Sequence, residues 1–287
     1  MNINDPKQPY EVYDEIPSNN TPTNGEELFD ENYDKTPNPK TPLWQDFVLI
    51  ILAFAGLDLV VITMTTIIST VMAAQGHGQL AIDGYLSSYN FLSIANFTRY
   101  GLIFLIMVGV LYLSKTLLPI VKSFKKFRTY LYGIGYGFIV ILISIVYNNI
   151  IGMIVPDYGS NENQNAVESV IKLYPLLSVI WIPFLGPIVE ELGYRLGLFN
   201  TLKKINRPIA YIVTSLIFGL IHFNLPVSGD TDYWAKFGIE ILNLPGYIIS
   251  GLAFNYIYDK ENIATSTVAH ITNNLVSYIV TIIAMSA

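Results

Sequence analysis

The sequence predicts an all-α fold: a polytopic membrane helix bundle of about seven transmembrane helices, preceded by a disordered acidic N-terminal tail. Three observations predict it. Of the 287 residues, 52% are hydrophobic and only 13% charged, and the mean hydropathy is positive, a composition typical of integral membrane proteins. The apolar residues gather into seven runs of about 20, the length that crosses a bilayer as a helix. The negative charge sits at one end: residues 1–43 hold nine Asp or Glu against Lys7, Lys35 and Lys40, so the whole net charge of −6 resides there.

Residues 1–43 are also rich in Pro and Asn and poor in large aliphatic side chains. Such a segment buries too little surface to offset the cost of ordering, so disorder is expected, with residues 44–287 forming the transmembrane domain. No positively charged region followed by a short apolar core opens the chain, so a cleavable signal peptide is not expected and the first membrane segment is assigned the targeting role. The absence of cysteine excludes disulfides, a cysteine nucleophile and thiolate metal sites. No feature implies a nucleic-acid partner.

The apolar runs lie at about 46–74, 93–114, 129–153, 174–199, 208–225, 237–258 and 263–285. The connections 75–92 and 155–172 have room for short interfacial helices. Lys115, Lys122, Lys125, Lys126 and Arg128 fall between runs two and three, Lys203, Lys204 and Arg207 between four and five, and Lys260 between six and seven. The opposite loops offer only Lys172 and Lys236. By the Lys/Arg bias of cytoplasmic loops this predicts a multi-pass cell-membrane protein, with its N-terminus cytoplasmic and its C-terminus outside.

Runs one and two contain Asp58, Asn96 and Arg99, and pairing Asp58 with Arg99 inside the bundle lowers the cost of both charges. Run three carries Gly133-Ile134-Gly135-Tyr136-Gly137. It lacks the Thr and Val of a potassium filter and a pore hairpin around it, so it reads as a close helix contact. Run four has Pro183, Gly186 and Pro187 just ahead of Glu190-Glu191-Leu192-Gly193-Tyr194-Arg195. Proline removes a backbone donor, so this helix is expected to bend or open one turn before the carboxylates.

Three charges within an apolar run need partners or water. Glu191 and Arg195 are four apart on one helix face and pair, which leaves Glu190 looking at another neighbour. Phe218 and His222 share a face of run five, and His270 and Asn274 share a face of run seven. At 1.5 Å of rise per residue, Glu190, His222 and His270 lie about 14, 20 and 10 Å from the cytoplasmic ends of their helices, depths compatible with convergence. A buried carboxylate can take a proton from water, an imidazole can share that proton or hold a metal, and an amide or second imidazole can donate to an oxyanion. Such a set suits amide hydrolysis without a covalent intermediate. No His-Glu-x-x-His sequence is present.

The ordered motifs Glu190-Glu191-x-x-x-Arg195, Phe218-x-x-x-His222 and His270-x-x-x-Asn274 resemble the CPBP family of intramembrane proteases, which includes type II CAAX prenyl endopeptidases and bacteriocin-processing or bacteriocin-immunity proteins. The resemblance covers about residues 174–285. It implies an endopeptidase in which Glu190 and His222 activate water, His270 and Asn274 stabilise the oxyanion, and Glu191, Arg195 and Phe218 support the site. It also implies a peptide or lipid-modified protein substrate at the membrane. Zinc held by Glu190, His222 and His270 and a metal-free glutamate route need the same residues, so both stay open, as does the oligomeric state. The alternatives are a non-catalytic immunity or peptide-binding protein of the same fold and a proton-coupled transporter using Asp58 and Glu190. The transporter reading lacks an internal repeat with paired broken helices.

Overall fold

The computed structural model describes residues 36–155, 159, 161–226 and 231–286. The disorder expected for the tail falls, for residues 1–35, outside the described residues. Among the described residues there are ten helices: α1 Leu43–Ala74, α2 Gln79–Leu86, α3 Tyr89–Leu113, α4 Leu117–Phe124, α5 Phe127–Ile154, α6 Glu162–Leu173, α7 Pro175–Lys203, α8 Arg207–Leu220, α9 Tyr233–Lys260 and α10 Ile263–Ser286. Helices α2 and α6 occupy the two connections where short helices were expected.

Six helices, α1, α3, α5, α7, α9 and α10, are long and apolar enough to cross a membrane. The run expected to span at 208–225 does so only in part. Its helix, α8, stops at Leu220 after 14 residues, about 21 Å at 1.5 Å per residue against a hydrocarbon core of about 30 Å. The turn that follows therefore sits at membrane depth, where irregular backbone is tolerated only against protein or a wet cavity.

Outward faces carry large apolar side chains, with Leu59, Ile62, Leu105, Leu142 and Ile283 each at least 60% exposed. In water that surface would aggregate; in lipid it is the solvated face. Inside, one apolar cluster joins Leu49, Ile103, Met107, Val189, Leu196 and Tyr258, and a second joins Val140, Tyr194, Phe218, Phe254 and Ala269. Helix α7 contributes to both and runs through the middle of the bundle.

Small residues let the helices close up. A Cβ on Gly133 would lie 2.6 Å from Val268, and one on Gly137 2.6 Å from Thr272 and 2.8 Å from the Ala269 carbonyl. The glycine run of α5 is thus a contact with α10, as expected for small residues four apart on a membrane helix.

The expected Asp58–Arg99 pair does not form: no ion pair joins them among the described residues, and Asp58 is exposed. Charges at one end of the bundle do pair. Asp259 holds Lys203 and meets Arg207 at 2.5 Å, Lys204 meets Asp46 at 2.6 Å, and Arg128 meets Glu261 at 3.1 Å. These contacts gather the 114–127, 203–207 and 260–263 connections at one end.

Residues 36–42 are tied to that same end. The Asn38 side chain accepts from the Ile263 amide at 2.7 Å and donates to the Tyr258 carbonyl at 2.9 Å, while Asn262 donates to the Thr36 carbonyl at 3.0 Å. Ile263 opens α10, so its amide is one of the donors that no intrahelical acceptor can satisfy.

Candidate active site

The site begins with a local defect in α7. Pro187 has no amide hydrogen, and the helix widens into a π turn over Trp181–Leu185, in which the Gly186 amide reaches back to the Trp181 carbonyl. In that register the Ile182 carbonyl would accept from residue 187, which is proline, and so it is left without its helical donor. Asn274 of α10 supplies one: its Nδ2 lies 3.3 Å from the Ile182 oxygen. A second π stretch, Glu191–Phe199, follows Glu190 directly. The opening predicted before the carboxylates is thus a pair of wide turns with Glu190 between them.

Glu191 is wholly buried. Its Oε1 lies 3.2 Å from an Arg195 terminal nitrogen and accepts from His270 Nδ1 at 2.9 Å, and its Oε2 accepts from the Ser266 hydroxyl at 2.5 Å. The Arg195 guanidinium also lies over the Phe218 ring at 4.4 Å and within 5.3 Å of the Phe254 centroid, so ring faces supplement the single carboxylate contact.

Glu190 points the other way. It makes no hydrogen bond among the described residues, retains 14% exposure and lies 3.8 Å from His270 Nε2. The His270 ring is held by stacking on Phe254 at 4.3 Å and by the edge of Phe218 at 5.8 Å. Because Nδ1–H donates to Glu191, the neutral ring presents its Nε2 lone pair to Glu190.

His222 lies in the turn just past α8. Its backbone amide bonds to Gly219, which leaves the Phe218 carbonyl free to accept from His222 Nδ1 at 2.8 Å. The imidazole therefore caps its own helix, and its Nε2 lone pair is also left available. Tyr247 stacks on the ring at 4.5 Å and 13°. Asn161 and Asn163, at the start of α6, each lie 3.3 Å from the Tyr247 hydroxyl.

Glu190, His222, His270, Asn274 and Phe218 all line one cavity of about 860 Å³, whose wall also carries Asn148, Asn243, Asn273 and Ser277. Glu191 and Arg195 lie behind it, fully buried. Four contributors were not anticipated from the sequence: Ser266, Phe254, Tyr247 and Asn161. Only Ser266 had a readable signal, since Ser266, His270 and Asn274 recur every four residues on α10. The aromatic stacking partners carry none.

Glu190, His222 and His270 are the side chains that would hold a divalent ion, and both imidazoles offer a free Nε2. Among the described residues, no three His, Cys, Asp or Glu side chains are gathered as a metal-ligand group.

Similarity to known proteins falls on the segment that builds this cavity. The profile of the "Rce1-like: Type II CAAX prenyl endopeptidase Rce1-like" family matches residues 172–276, the segment holding every residue above except Asn161 and Asn163 of α6 and wall residues such as Asn148. An uncharacterized protein of Mycoplasma capricolum is 27% identical over 173 residues, covering 56% of this chain and 47% of that protein. "Putative membrane peptidase YdiL" of Bacillus subtilis is 36% identical over 66 residues, covering 23% of this chain and 27% of that protein. "UPF0177 protein YvdC" of Lactococcus lactis is 24% identical over 110 residues, covering 38% and 40%. The matches span less than half the length of each relative. No solved structure matches. Six membrane-length helices together with this match make the chain a multi-pass membrane protein, and residues 172–276 are similar to the Rce1-like type II CAAX prenyl endopeptidase family.

Proposed function

We propose that the chain is an intramembrane endopeptidase that cleaves a membrane-associated peptide or lipid-modified protein with water activated by Glu190. One observation carries the reading. Glu190 is a carboxylate without a hydrogen-bond partner among the described residues, facing His270 Nε2 at 3.8 Å in the wall of a polar cavity, while its neighbour Glu191 is fully partnered.

The chemistry follows from which hydrogens are already committed. A water between Glu190 and the scissile carbonyl gives one proton to the carboxylate as its oxygen adds to the carbon. His222 Nε2, an acceptor because Nδ1–H is held by the Phe218 carbonyl, orients the second water hydrogen. His270 Nε2 receives the proton from Glu190, and the resulting imidazolium is stabilised by Glu191 at Nδ1. The imidazolium hydrogen-bonds the oxyanion and then gives its proton to the leaving nitrogen as the carbon–nitrogen bond breaks, which leaves a carboxylic acid and an amine. Asn274 has one Nδ2 hydrogen on Ile182 and the other left for the oxyanion. No step is routed through a metal; zinc at Glu190, His222 and His270 would supply Lewis-acid polarisation of the carbonyl.

The paired basic connections at one end of the bundle support an orientation with that end and the N-terminus in the cytoplasm. The chain has no cysteine, so single cysteines at residues 20 and 285 can be labelled from either side to test it.

The function is tested by comparing released peptides and new membrane-protein termini in cells carrying wild type or Glu190→Gln at equal protein level. Peptides lost in the variant support proteolysis and name the substrate. Identical profiles would favour a non-catalytic immunity or peptide-binding role. Purified enzyme treated with a chelator separates the routes: retained cleavage supports the steps above, and loss restored by zinc supports the metal route.

A further inference from the structure

A second cavity of about 500 Å³ is lined by Asn96, Arg99, Tyr100, Asn163, Trp181 and Asn224, together with Glu162 and Lys236. Arg99 belongs to the membrane span α3. It makes no ion pair among the described residues, and its buried Nε has no hydrogen-bond partner. The other charges of the cavity offset each other, since Lys236 Nζ lies 3.9 Å from Glu162 Oε1. Arg99 is thus a cation of this lining without an ion pair among the described residues; its hydrogen-bonding neighbour is the Tyr100 hydroxyl, and Glu190 and Asp58 are the carboxylates whose charge reaches that ring. A guanidinium without an ion pair at membrane depth costs roughly 3 kcal/mol or more, so it calls for water or an anion.

Arg99 is close to the proposed chemistry. The Arg99 guanidinium carbon lies 5.1 Å from the Tyr100 ring centre, and Tyr100 stacks on Trp181 at 5.8 Å and 9°. Trp181 opens the wide turn ahead of Glu190. The Tyr100 ring edge and Glu190 Oε1 both lie 4.0 Å from where a Cβ on Gly186 would stand. Roughly two to four residues of extended chain, at about 3.4 Å each, bridge such a gap. The planar five-donor fork of arginine matches a carboxylate; the Asn96 and Asn163 amides each have one Nδ2 hydrogen committed, to the Leu92 carbonyl and the Tyr247 hydroxyl, and a second to offer.

We infer that Arg99 and its cavity form an anion subsite that binds a carboxylate of the substrate peptide, a few residues from the bond facing Glu190. This rests on the endopeptidase reading for its role and on geometry alone for its binding, so the two are tested apart. The carboxylate has two sources, the peptide's C-terminus and an Asp or Glu side chain.

The test measures binding to the Glu190→Gln protein, which does not depend on turnover, in phosphatidylcholine nanodiscs. The probes are an acetylated Leu-Val-Ala-Leu peptide with a free C-terminus, the same peptide as its C-terminal amide, and an amidated version with Asp at its third position. Loss of a charge-assisted contact predicts about 10- to 100-fold weaker binding of the plain amide than of at least one acid. Whichever acid binds identifies the source. Adding Arg99→Gln, with an unchanged melting temperature, should bring acid and amide together, and Arg99→Lys should restore part of the difference. Equal affinities for all three peptides would overturn the inference. So would an acid preference that survives Arg99→Gln, or one abolished by replacing a fifth of the lipid with phosphatidylglycerol, which would make the occupant a lipid phosphate. If cleavage is never found but the preference is, the endopeptidase reading fails and the subsite stands.

Discussion

Glu190 and Glu191 are neighbours in the chain and opposites in surroundings. Behind the cavity wall, Glu191 is fully buried and meets Arg195, Ser266 and His270. At the wall, Glu190 has no hydrogen bond among the described residues and faces open space and one imidazole nitrogen. Successive helical residues point about 100° apart, so one step along α7 moves a carboxylate from a closed network to a wet surface. A carboxylate whose lone pairs are all committed can orient others; one whose lone pairs are free can take a proton from water.

The largest expected effect breaks this comparison at its reactive half. Glu190→Gln should reduce cleavage by roughly 10²–10⁴-fold, the usual contribution of a positioned base, with the melting temperature in detergent unchanged. A variant that still cleaves at the wild-type rate would move the base elsewhere. Glu191→Ala should do the reverse, costing about 3–5 kcal/mol of stability because Arg195 is left buried without its carboxylate. Activity then falls with the folded fraction and with the loss of His270's anchor. The double variant Glu191→Leu with Arg195→Met removes both charges and should melt above either single variant; additive losses would show that the pair is not coupled.

The comparison is sharpened by moving His270 without touching either carboxylate. Gly137→Ala places a Cβ 2.6 Å from Thr272 and 2.8 Å from the Ala269 carbonyl, which should cost about 1–3 kcal/mol by overpacking. It should also lower cleavage at temperatures where the protein remains folded. The smallest effect is expected at the cap of α10. Deleting residues 1–35 should leave the melting temperature unchanged, whereas deleting 1–42 removes Asn38 from the Ile263 amide and should cost about 1 kcal/mol, the usual worth of a cap. Equal behaviour of the two truncations would show that Asn38 contributes nothing to α10.

Much of the bundle was readable because lipid imposes a simple rule: backbone polar groups must be satisfied within a helix, so long apolar runs become helices. The Glu191–Arg195 pair was readable from its spacing, as was the contact nature of Gly133 and Gly137. The early end of α8 was not. Ile221, Phe223 and Leu225 continue the apolar run, and nothing in composition says that the chain turns beneath the membrane surface. Nor did spacing reject the Asp58–Arg99 pair, since it carries no information on which way two different helices face.

The sequence by itself determined the six long apolar helices, their order, and which charged residues share a face, because those properties depend on composition and on periods of 3.6 residues. Only the tertiary structure decided that Ser266 and His270 close around Glu191 while Glu190 is left to the cavity, and that Asn274 fills the carbonyl orphaned by Pro187. It also decided that Arg99 makes no ion pair among the described residues. These depend on how each helix is rotated against its neighbours, which side-chain volume and the close approach at glycine fix, and no single helix encodes that rotation alone.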